Sequence, residues 1–146
     1  MSSELKTRIQ TDLNAARKLR DKERTLVLST ILSEIKNHEI DGGKPADDDA
    51  VIQVVSRAIK QRRDAADQMR AAGRGELADV EEAQSTVLSA YLPAGMTEEE
   101  VRDLVRELIA GGTSQMGALM GQLMPRVRGR FDGKDANRIA REELGL

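Results

Sequence analysis

"PAGMTEEEV", Pro93 to Val101, is the stretch that decides how this chain is read. Pro93 and Gly95 interrupt a helical apolar pattern, and neither residue suits a helix interior. Thr97 and Glu100, three apart, have the form of a capping box, where each side chain accepts a hydrogen bond from the other residue's backbone N–H. One helical array therefore ends at Pro93 and a second begins at Thr97. The expected organisation is an N-terminal helical domain over residues 1–93 and a C-terminal tail over 94–146.

Upstream of this break the apolar spacing is helical nearly throughout. Leu5, Ile9, Leu13 and Ala16 share one face of a first helix, with Leu19 near its end. Leu28, Ile31, Leu32 and Ile35 form a second stripe that stops before Gly42-Gly43 and Pro45. A third helix starts in the acidic run Asp47-Asp48-Asp49, with Asp47 or Asp48 as its cap, and carries Val51, Val55, Ala58 and Ile59. Gly73 and Gly75 bracket Arg74 before a fourth helix, whose apolar residues are Leu77, Val80, Val87, Leu88 and Tyr91. Downstream, Val101, Leu104, Val105 and Leu108 belong to a helix ending at Gly111-Gly112. Ser114 is placed to cap the next, with Met116, Leu119, Met120 and Leu123 inside. Asp132 starts a last helix through Ile139, Ala140 and Leu144. No segment alternates in the manner of a strand. The fold class is all-α: four helices in a bundle, then a three-helix tail.

Composition narrows the chemistry. The chain has 146 residues, no cysteine, one histidine (His38) and two aromatic residues, Tyr91 and Phe131. Thiolate metal sites and cysteine nucleophiles are excluded, and so is base reading by successive aromatic stacking. Asp47-Asp48-Asp49 lacks the spaced oxygens and glycine of a calcium loop. Neither "GRGELAD" nor "GGTSQMG" ends in the Lys-Ser/Thr of a phosphate-binding loop. No catalytic constellation assembles, so the expectation is a non-enzyme without metal or cofactor. Met1 leads into a polar N-terminal stretch with no signal-peptide core, and no long apolar run follows. The chain is therefore expected to be cytoplasmic and without a membrane partner.

Charge is the remaining signal. The net charge is −2, so a polyanion must be met by a local patch. Between Gln115 and Arg141 six bases face two acids, and four of the six lie in "RVRGRFDGK", Arg126 to Lys134. Arginine forks suit phosphate, glycines admit a ligand to the backbone, and a helix N-terminus beside Lys134 would add N–H donors. The same residues also suit an ordinary solvated loop. A second basic cluster, Lys60, Arg62, Arg63 and Arg70, is interleaved with Asp64 and Asp67, and Arg63 is spaced to pair with Asp67 on the helix surface. The methionines Met116, Met120 and Met124 fit either an adaptable groove or simple core.

Four blocks carry a resemblance: "RDKERTLVLSTILSEIKNHEI", "KQRRDAADQMRAAGRGELADVEEAQSTVLSAYLP", "MTEEEV" and "MGALMGQLMPRVRGRFDGKDANRIAREEL". In this order they span nearly the whole chain, which resembles the free-standing YqeY proteins of the GatB/YqeY family. The resemblance implies a helical-bundle domain joined to a small three-helix tail, similar to the tail of the B subunit of the tRNA-dependent amidotransferase. It implies a module that grips tRNA while other domains do the chemistry. The matching turn is Gly129, Arg130, Asp132, Gly133 and Lys134. Phe131 departs from the small residue implied there, and either packs the turn or exposes a ring. The expected RNA-binding set is Arg126, Arg128, Arg130, Lys134 and Arg138. The expected partners are tRNA and a tRNA-charging or tRNA-amidating enzyme, with no DNA. The alternative is a helical protein–protein adaptor that does not bind RNA.

Overall fold

A computed structural model describes residues 3–146. The chain runs α1 (Glu4–Lys18), α2 (Lys22–Gly42), α3 (Asp48–Ala71), α4 (Gly75–Ser89), α5 (Glu98–Ala110), α6 (Met116–Val127) and α7 (Gly133–Leu144), with no strand among the described residues. It divides into two compact units, Met1–Leu92 and Pro93–Leu146.

In the first unit, α1 ends on a six-residue loop closure. The Asp21 N–H donates to the Ala16 carbonyl (3.0 Å) and the Arg20 N–H to that of Arg17 (3.1 Å). This closure needs a left-handed residue, usually glycine. Here Arg20 supplies it, at φ 57°, and Asp21 immediately caps α2 by accepting from the Arg24 N–H. The charged "RDKER" run is thus a helix junction. At the far end of α2, Gly43 takes φ 68° and turns the chain toward α3.

Both candidate caps in the acidic run are used, on different helices. The Asp47 carboxylate accepts from the Ala50 N–H (2.8 Å) and caps α3. Asp48 instead reaches across to α1, accepting from the Ser3 hydroxyl and the Leu5 N–H. Glu39 closes the same corner: it accepts from Lys6 Nζ (2.7 Å) and from the buried Ala46 N–H (2.8 Å). Tyr91 donates to Asp12 (2.5 Å), and the Arg8 guanidinium sits 4.8 Å from its ring centre.

Ile9, Leu13, Leu28, Ile31, Ile35, Val51, Val55, Ile59 and Leu88 lie in the core of this unit. Small residues, Ala58 and Ala66 on α3 and Ala78 and Ser85 on α4, are buried where these two helices pair as an antiparallel hairpin. Leu77 and Val80, named among the apolar residues of the fourth helix, are 48% and 51% exposed, and Leu19, near the end of the first, is 80% exposed. The α4 face that packs is built from its small residues and Leu88 instead.

The second unit is smaller. Thr97 and Glu100 form the complete capping box on α5. Val101 and Val105 of α5 meet Leu119, Leu123 and Val127 of α6 and Ala136, Ile139 and Ala140 of α7 in one core. Met116, Met120 and Met124 pack against that core partly buried, as packing rather than as an open groove. The cap of α6 is Gln115, not Ser114, and makes no side-chain bond. Pro125 lies in the last turn of α6, where the helix ends two residues later.

Candidate functional site

The arginine-rich turn joins α6 to α7 and is held by a specific backbone route. Gly129 adopts φ 72°, a left-handed geometry that glycine enters without Cβ strain. It reverses the chain so that the Arg130 and Phe131 N–H groups both donate to the Val127 carbonyl, at 2.8 and 3.0 Å. The segment after Pro93 then straps onto the turn. The Met96 N–H donates to the Arg130 carbonyl (2.8 Å), and Arg130 Nε donates to the Ala94 carbonyl (2.8 Å). Phe131 is half-buried against the core of the unit. Its ring packs the turn, so of the two roles left open for it, exposure to a ligand is the one not taken.

The five expected RNA-binding residues separate into three kinds. Arg126 is exposed at the end of α6, Arg128 is half-buried at its C-cap, and Lys134 is exposed in the first turn of α7. These three make no ion pair among the described residues. Arg130 keeps its charge but is committed through Nε to Ala94. Arg138 is different. It bonds to Glu98 of α5, to Glu142 (3.0 Å) and, more loosely, to Asp135 (4.0 Å). Glu98, then Glu142, hold its guanidinium charged and neutralise its field. Asp135 and Glu142 are at local helical spacing from Arg138, but the local sequence does not flag Glu98, which lies forty residues away on another helix.

The helix N-terminus beside Lys134 is also less open than the turn suggests. The Asp132 carboxylate accepts from the Lys134 N–H (2.7 Å) and the Asp135 N–H (3.4 Å), taking the donors an incoming phosphate would use. What remains at this corner is side-chain cations close in sequence, not a backbone cradle.

Two further arginines of this unit, Arg102 and Arg106, are consumed internally, whereas Arg141 on α7 is exposed and makes no ion pair among the described residues. Arg102 of α5 bonds to Glu142 and Glu143 of α7, each at 2.8 Å, and Arg106 bonds to Glu143 at 3.0 Å. Arg102, then Arg138, hold the Glu142 carboxyl below the usual range, and Arg106 and Arg102 do the same for Glu143. In the first unit the second basic cluster is only partly paired. Arg62 donates to Gln84 (3.0 Å), and Arg70 to Asp79 (3.0 Å) and Glu82 (2.7 Å). The expected Arg63–Asp67 pair is not among the ion pairs the structure forms.

Comparison with known proteins adds kinship. A family model described as Yqey-like protein matches residues 6–144. A relative from Pyrenophora tritici-repentis, named altered inheritance of mitochondria protein 41, mitochondrial, is 28% identical over 94% of this chain and 80% of its own length. Proteins of the same name from Clavispora lusitaniae (29% identical, 79% of this chain, 71% of the relative) and Eremothecium gossypii (32%, 62% and 52%) are also similar. These names overturn the cytoplasmic expectation, since the similar proteins are named as mitochondrial. Its basis was weak for a physical reason: organellar transit segments are amphipathic and carry no apolar signal core. No helix among the described residues is long and apolar enough to cross a membrane. With a match that takes in both units from α1 to α7, the chain belongs to the Yqey-like protein family.

Proposed function

We propose that this chain is a non-enzymatic RNA-binding accessory module that grips structured RNA, tRNA above all, through phosphate contacts from the α6–α7 corner. One observation carries the reading. In a unit where Arg102, Arg106 and Arg138 are each held by carboxylates, Arg126, Arg128 and Lys134 carry no such partner, and Arg130 adds a fourth charge beside them. Cations without internal partners are the ones able to displace counterions from a phosphate backbone. Contacts of this kind position a protein without reading bases, so different tRNA species should bind alike. In this reading the chemistry belongs to a partner, a tRNA-charging or tRNA-amidating enzyme, and the chain alone turns over neither glutamine nor tRNA.

The test is a filter-binding titration against total tRNA across a salt series. The triple change Arg126→Ala, Arg128→Ala, Lys134→Ala should flatten the log-affinity against log-salt slope by about two to three units, since each lost contact removes somewhat under one. The double change Lys60→Ala, Arg63→Ala on α3 should alter the slope less. Equal slopes for the triple variant and the parent would remove the corner from any RNA role. Arg138→Ala should weaken binding little, and act mainly through loss of its pairing with Glu98 and Glu142.

A further inference from the structure

The first unit carries a feature its packing does not use. Among the described residues, Leu26 on α2 and Leu77 and Val80 on α4 are large apolar side chains about half exposed. Val80, Ala83 and Val87, three and four residues apart on α4, form one wall of a groove of about 350 Å³, and Leu26 stands on the other wall. Leu77, three residues before Val80 on α4, is similarly exposed but lies outside this lining. A half-exposed apolar stripe bordering a groove marks a place where another apolar surface docks.

Charge says what kind of surface. Helix α4 contains Glu76, Asp79, Glu81 and Glu82 and no Lys, Arg or His. Of these only Asp79 lines the groove; Arg70 of α3 offsets Asp79 and Glu82, and Glu76 and Glu81 form no ion pair among the described residues. On the α2 wall, Asp21 and Glu23 outnumber Arg24, the one base lining the groove. A phosphate backbone or an anionic lipid surface would meet like charge along α4.

We infer that the α2–α4 groove binds an amphipathic helix of a partner protein, its apolar face on Leu26, Val80 and Val87 and its Lys/Arg flank along the acidic side of α4. A helix laid in a groove anchors through residues one turn apart, which matches the spacing of Val80, Ala83 and Val87. The inference is independent of the RNA reading, which uses the second unit alone.

The experiment uses the full chain with methyl-labelled Leu and Val, and two helical peptides sharing one leucine face, one with lysine flanks and one with glutamate flanks. The Leu/Lys peptide should shift the methyl signals of Leu26, Val80 and Val87 and bind at least about tenfold tighter than the Leu/Glu peptide, because charge complementarity sets partner choice. Val80→Lys and Leu26→Lys, both at half-exposed helical positions, should abolish these shifts while circular dichroism stays unchanged. The pair Glu76→Gln, Asp79→Asn leaves the apolar lining intact and should cut Leu/Lys binding by about threefold or more through charge alone. Equal affinity for both peptides, or shifts confined to other methyls, would overturn the inference. So would groove methyl shifts that follow protein concentration without peptide, which would make the occupant a second copy. Larger shifts with total tRNA than with peptide would overturn it too.

Discussion

The two units solve the same folding problem with different materials. The first has helices of 15, 21, 24 and 15 residues around a core rich in Ile, Leu and Val, and can leave Leu26, Leu77 and Val80 outside it. The second has helices of 13, 12 and 12 residues, and three of its eight fully buried core positions are Val on α5 and α6 and two are Ala on α7. A core this small gives little margin. Its α5–α7 seam is accordingly laced by Arg102, Arg106 and Arg138 onto Glu98, Glu142 and Glu143. Individual surface pairs contribute little, but a network sharing both glutamates resists fraying better than isolated pairs. The difference teaches where to look for function: in the first unit at unused apolar surface, in the second at unused charge.

The sharpest way to break this comparison is to open matching holes. Leu123→Ala in the second unit and Ile31→Ala in the first each remove a fully buried side chain, and each should cost about 2–5 kcal/mol. In the smaller unit that is a large share of its stability. Urea unfolding followed by residue-resolved amide exchange should show Leu123→Ala exposing α5, α6 and α7 while α1 to α4 keep their protection. If both units lose protection together in either variant, they unfold as one cooperative body and the contrast drawn between them fails.

Much of this was legible in the sequence, and the illegible parts share a cause. Caps are local, so Thr97 with Glu100, Asp132 and Asp47 could each be named from spacing. Asp48 was legible only as a cap, and its use on α1 depends on how residues 43 and 45 positions earlier return to it. Arg138 had the same difficulty in reverse: a basic residue beside a basic turn looks available until α5 brings Glu98 to it. Leu77 and Val80 show the limit of periodicity. An apolar stripe marks a face that prefers to be covered, but it does not say whether this chain supplies the cover. The Asp132 side chain illustrates the opposite error, where a predicted feature forms and thereby closes the donors it was expected to offer.

Acid sharpens the comparison less violently. Glu142 and Glu143 have folded-state pKa values below their ordinary ones, as do Glu39, held by Lys6, and Asp48, held by Ser3. For a depressed carboxyl the stabilisation is present above the ordinary value and is lost as pH falls through the folded one. Both units should therefore weaken below about pH 4.5, the usual carboxylate range. The second unit should weaken first, since its glutamates are pinned on a thinner core. Raising salt at neutral pH should screen the α5–α7 pairs in the same direction. Arg102→Ala should reduce this pH and salt sensitivity in α5 and α7 without abolishing it, because Glu142 keeps Arg138 and Glu143 keeps Arg106. A variant retaining the parent's full pH dependence would assign the acid response to the first unit's corner at Glu39 and Asp48.

The smallest effect is the one expected from Leu77→Ala. Leu88, on the same helix, is fully buried, and its truncation to alanine should cost about 2–5 kcal/mol. Leu77 is half exposed, and alanine is at least as good a helix former, so its truncation should change stability by no more than about 0.5 kcal/mol. The same holds for Leu26→Ala on α2. A neutral result at both positions means that these leucines hold no part of the fold, which is what an apolar surface reserved for a partner requires. A cost close to that of Leu88 would place them in the packing after all, and the groove would then be an incomplete core and not a docking site. Chemical denaturation of the three single variants, read by circular dichroism at one pH and salt, decides between these outcomes.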